Sequence, residues 1–169
     1  MRMKYIVCSV AALLLASAAV FAGTKKAPKA NFRLLEAFTQ RLRQGNPSAP
    51  PPTGEHFIIV WQADTAPETF YWRGKTGFMM CMIQKAHKIN KKDASKFPPG
   101  MDYRLEPTGN GAIAKGDTLE ITPVARGKVR IPDEIPQNAT NTLFYKTTGS
   151  GWLLFPVKKF TKKRDILAS

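Results

Sequence analysis

Cysteine is nearly missing from this chain: Cys8 and Cys81 are the only two among 169 residues, and Cys8 lies in the first apolar run. That excludes a disulfide framework. Histidine is as scarce, with only His56 and His87 available as an imidazole base or metal ligand. Acids are thin as well, 12 against 26 lysines and arginines, for a net charge of +14. Hydrolase signatures are missing: there is no G-x-S-x-G elbow and no H-E-x-x-H helix. Gly74-Lys75-Thr76 matches only the tail of a phosphate-binding loop, because Thr69 stands where that pattern requires glycine and strand residues follow in place of a helix. Asp64, Glu68, Asp102, Glu106, Asp117 and Glu120 fall mostly at strand ends or turns, and no spacing pairs two of them for glycoside cleavage. No cofactor motif is found. These absences favour a non-enzymatic protein.

What is present begins with a targeting signal. Arg2 and Lys4 precede an uncharged apolar run from Tyr5 to Phe21, and Val20-Phe21-Ala22 suits a signal peptidase cutting before Gly23. The sequence therefore predicts an exported protein, periplasmic or secreted, with no membrane-spanning segment after cleavage. Cys8 sits too early in the run to carry a lipid anchor. Removing 22 of 169 residues leaves 147, enough for one domain with a sizeable core. Arg2 and Lys4 leave with the signal, so the net charge falls by two, from +14 to +12. Such a chain collects at anionic surfaces at low salt.

After the signal, the reading divides residues 23–54, 55–160 and 161–169 into an N-terminal region, a β domain and a basic C-terminal tail. In the first, Asn31 to Gly45 reads as an amphipathic helix, with Phe32, Leu34, Leu35, Phe38 and Leu42 on one half of its wheel. Asn46 to Gly54 is a proline-rich linker. From Phe57 the pattern turns to β. Phe57 to Trp61 is apolar on both faces, as a buried strand is. Thr69 to Ile89 forms a hairpin around Gly74-Lys75-Thr76-Gly77, its return strand placing Phe78, Met80 and Met82 on one face and Met79, Cys81 and Ile83 on the other. Burial in that strand makes Cys81 a small inert hydrophobe. Met101–Leu105, Thr118–Val124 and Lys128–Ile131 read as further strands, Thr118–Val124 with one wet face. Thr142–Thr147 and Trp152–Phe160 form a last hairpin, Pro156 marking an edge or a bulge. About eight short antiparallel strands with frequent turns predict a single β-sandwich or barrel preceded by one helix.

Two basic clusters carry the functional expectation. Lys88, Lys91, Lys92 and Lys96 surround one loop, and Lys158, Lys159, Lys162, Lys163 and Arg164 form KKFTKKR near the end. With Trp72 as an aromatic contact, they suit a binding or structural module that meets an anionic glycan, an envelope surface or a partner protein. Nucleic acid is the less favoured polyanion for an exported chain. The rival from another class is a small exported enzyme acting on cell-wall or glycan material. A third reading is a copper protein. His56, Cys81, His87 and Met101 supply soft ligands and imidazoles in an order that resembles the cupredoxin pattern on a β-sandwich. In that family the Cys, second His and Met crowd one late loop, whereas here five residues separate Cys81 from His87 and thirteen separate His87 from Met101.

Overall fold

The structure is a computed structural model that describes residues 30–43, 54–75, 77–108, 112–124, 131–136 and 138–167. The signal segment, residues 46–53 of the proline-rich linker and residues 128–130 of one expected strand lie outside these. No helix long and apolar enough to cross a membrane occurs among the described residues.

The protein is mainly β. Its strands are β1 (Phe32–Thr39), β2 (Leu42–Arg43), β3 (Glu55–Trp61), β4 (Pro67–Gly74), β5 (Gly77–Lys88), β6 (Tyr103–Pro107), β7 (Thr118–Val124), β8 (Thr142–Thr147), β9 (Leu153–Pro156), β10 (Thr161–Lys162) and β11 (Ile166–Leu167). One sheet runs β10-β1-β3-β7-β5-β4-β8-β9, with β6 added to β5, and β2 pairs separately with β11. The sheet curls into a half-barrel: Phe32 of β1 meets Tyr145 of β8 and Phe155 of β9, with ring centroids 5.1 and 4.8 Å apart, although no ladder joins these strands.

The inner face is aromatic. Phe57, Trp61, Phe70 and Trp72 are fully buried there, together with Leu119, Ile121 and Leu143. Each such side chain contributes about 1.5–3 kcal/mol by leaving water. Trp72 donates from its indole nitrogen to Glu55 at 2.8 Å, giving the polar atom of a buried ring a partner. Cys81 is buried beside them, and burial, reinforced by Glu55, pushes its thiol far above the ordinary range. It is a packing residue.

The expected hairpin forms as β4 and β5, with Gly74 opposite Gly77. Gly77 has a φ of +133°, which a side chain would resist, and a Cβ on Gly74 would come within 2.7 Å of the Trp72 indole nitrogen. Phe78, Met80 and Met82 face outward while Met79, Cys81 and Ile83 join the core, as the alternation predicts. Pro156 ends the edge strand β9.

Two expectations fail. The described part of the expected helix, residues 31–43, is not helical, since Phe32–Thr39 is a strand paired antiparallel to β3. A β-bulge between Leu34 and Glu36 explains the misreading. It resets the two-residue alternation, so that Phe32 and Leu34 face the core before the bulge and Ala37 after it. The resulting spacing imitates a helical stripe. Nor is the outer face of β7 wet: Glu120 and Thr122 are buried.

Candidate anion-binding site

On the outer face the late strands β10 and β11 come to lie beside β1 and β2. β10 pairs parallel with β1, Phe38 opposite Thr161, and β11 pairs parallel with β2. Residues 161–167 are thus part of the fold, and the basic tail expected there is a correction to the sequence reading. Lys163 lies at its centre, donating at 2.7 Å to both Glu36 and Asp102, with its ammonium 4.0 Å from the centre of the Phe38 ring. Burial opposes the charge, but the bonds to Asp102 and Glu36 outweigh it and raise the Lys163 pKa. Gln40 completes the joint: its side-chain amide donates to the Gly100 carbonyl at 3.0 Å and to the Arg164 carbonyl at 2.7 Å. Tyr103, also next to Lys163, has its hydroxyl pKa raised by burial first and by Glu36 second.

This joint fixes the loop between β5 and β6. Past Lys85, β5 leaves β7 and continues to Lys88 paired only with β6, so the hairpin projects beyond the sheet. Ile89 donates to the Asp102 carbonyl at 2.9 Å to close its neck. A single 3-10 turn, Ala94–Lys96, follows, and Met101 donates back to Pro98 across a turn whose third residue, Gly100, has φ +91°.

At this end of the molecule His87, Lys88, Ile89, Asn90, Asp93, Lys96, Phe97 and Arg104 line an open cavity of about 410 Å3. Its charge is positive on balance. Asp93 pairs with Lys96 at 2.7 Å, and Glu106 faces both Arg104 at 2.6 Å and His87 at 3.2 Å. Among the described residues no carboxylate pairs with Lys88, Lys91 or Lys92, and all three are exposed. An incoming anion would find side chains already turned to water, so its charge adds attraction without breaking a buried pair.

The residues expected from the sequence are sorted by this arrangement. Lys88, Lys91, Lys92 and Lys96 stand together around the loop, with Lys88 and Lys96 in the cavity wall. Arg164 is brought beside the loop by Gln40, and Lys162 precedes the Lys163 joint with its side chain exposed. Lys158 and Lys159 are exposed on the crossing from β9 to β10. Lys163 is occupied within the fold. Trp72 is fully buried, so it offers no aromatic surface. Arg104 has no signature in the sequence, where it is an isolated arginine in a strand; only the β5–β6 register, which sets it opposite His87, places it here.

The copper set is not assembled. Cys81 belongs to the inner core, His56 stacks on Phe38 on the outer face, and His87 turns to Glu106. No group of three or more His, Cys, Asp or Glu side chains suited to a metal occurs among the described residues. His56 also has no nitrogen turned to a substrate. Its Nδ1 lies 2.6 Å from Glu120 and its Nε2 3.1 Å from the Gln40 carbonyl. Two other carboxylates weighed above are engaged as well: Asp117 pairs with Lys85 at 2.9 Å and Asp64 with Lys115 at 3.2 Å. A hydrogen bond from the Ala114 amide, then Lys85, lowers the Asp117 pKa.

No known protein family, curated protein or solved structure matches this chain. Its function rests on its own geometry.

Proposed function

We propose that this protein is an exported, non-enzymatic binding module that contacts an anionic ligand at the cell envelope through the loop between β5 and β6. One observation carries the reading: a cavity walled by Lys88, Lys96, Arg104 and His87 at the tip of a hairpin, with Lys91 and Lys92 exposed on the same loop. The Lys163 joint supports it by holding that loop against the sheet, so that the cations are presented from a fixed base. Export follows from the charged start and apolar run before Gly23.

The test compares retention on heparin with retention on a sulfonate exchanger at matched pH and salt gradient. Wild type should elute later from heparin, and a variant with Lys88, Lys91, Lys92 and Lys96 all changed to serine should lose that excess. Equal retention on both columns, or an excess that survives in the variant, overturns the proposal.

A further inference from the structure

Phe97 is the feature that a purely electrostatic surface leaves unexplained. It lines the cavity half-buried, yet it belongs to neither hydrophobic cluster. Its counterpart in the other basic stretch, Phe160, packs against Phe57 and Trp72. Phe97 is followed by Pro98 and Pro99, which restrict the backbone that carries it. A ring held in the wall of a wet cavity and unused by the core is available for stacking.

Asp93 is the second such feature. A receptor for a dense polyanion gains nothing from a carboxylate in its wall, because like charges repel. Here Lys96 steadies Asp93 through one oxygen at 2.7 Å, and Asn90 lies in the same wall. A carboxylate and an amide supply acceptors and donors suited to hydroxyl groups. Lys88, and Arg104 steadied by Glu106, supply positive charge in the remaining wall.

Resting on the anion-binding reading above, we infer that the ligand is an acidic sugar. One sugar face stacks on Phe97, its hydroxyls meet Asn90 and Asp93, and its acid group meets Arg104 and Lys88. The cavity, about 410 Å3, lies within the range of small-ligand sites, about 300–1,000 Å3. Phosphate-rich polymers would use the cations and leave Asp93 opposing them.

The test is calorimetric titration of the purified protein with tetragalacturonate, a neutral tetrasaccharide of glucose and tripolyphosphate. Tetragalacturonate should bind, the neutral sugar much more weakly, and tripolyphosphate without dependence on Phe97. Phe97→Ala should weaken tetragalacturonate binding by about tenfold and Phe97→Trp should preserve it, both with unchanged thermal stability. Asp93→Asn should weaken tetragalacturonate and leave tripolyphosphate equal or tighter. If tripolyphosphate binds as well as tetragalacturonate and Phe97→Ala changes neither, the sugar assignment falls while anion binding stands. If no anionic probe binds and the serine variant keeps its heparin retention, the anion-binding reading falls with it.

Discussion

The loop from Ile89 to Asp102 and the segment from Lys158 to Arg164 are alike in composition, each setting several lysines beside one phenylalanine. Their neighbours make them different. Phe160 enters the aromatic interior and Lys163 lies between Glu36 and Asp102, whereas Phe97 stays outside both cores and Lys91 and Lys92 face water. Acids are few in this protein, and where two of them converge on one lysine, that lysine holds the structure together. Charge density along the sequence does not separate a binding surface from a structural pin. The carboxylates brought opposite it by strand pairing do.

The contrast can be broken most directly at Lys163. Replacing it with methionine leaves the partly buried Glu36 and the exposed Asp102 without their shared cation. The expected loss is about 2–3 kcal/mol in urea unfolding at pH 7, below the 3–5 kcal/mol typical of fully buried pairs. A loss no greater than that of an exposed lysine would place Lys163 with the loop cations instead.

Next in size is the pH response of the same residue. Its pKa is raised in the folded state, so its contribution is complete below the unfolded value of about 10.4 and disappears as pH rises through the higher folded value. Wild type should therefore lose stability above about pH 10 more steeply than Lys163→Met. Parallel alkaline profiles would remove the ion pairs from the account.

The smallest expected effects separate binding from stability. Changing Lys88, Lys91, Lys92 and Lys96 to serine should alter urea stability by only about 0.5 kcal/mol while removing the heparin excess. Changing Lys158 and Lys159 should do little to either beyond the shift that two lost charges produce on both columns. A selective heparin loss from that pair would transfer the site to the β9–β10 crossing.

Much of the fold was legible because strand alternation survives in single sequences. Phe57 to Trp61, the β4–β5 hairpin and Thr118–Val124 could be read from their residues alone. The first strand could not, because the bulge beside Leu35 shifts its phase and leaves apolar positions at helical intervals. The wet face expected of Thr118–Val124 was misjudged for another reason. Glu120 looks solvated until a distant histidine is known to lie 2.6 Å away. Of the site, the lysines were visible as a run, and the arginine in the cavity wall, Arg104, was not. Trp72 suits an aromatic contact by sequence yet is buried, because hydrophobicity alone cannot tell an inner face from an outer one.

Glu36 and Lys163 stand 127 positions apart, and Thr161 completes an edge of β1 that Phe38 and Thr39 otherwise lack. Closing so large a loop costs entropy before any contact repays it, and contacts of this range slow folding. β1, although synthesised early, is thus among the last strands to be finished. Until residue 163 arrives, Phe38, Glu36 and Asp102 await their shared cation. Cleavage between Phe160 and Lys163 would undo that closure and loosen the loop through Gln40 and Asp102, so a protease acting on the last strands would reach the ligand site without touching it.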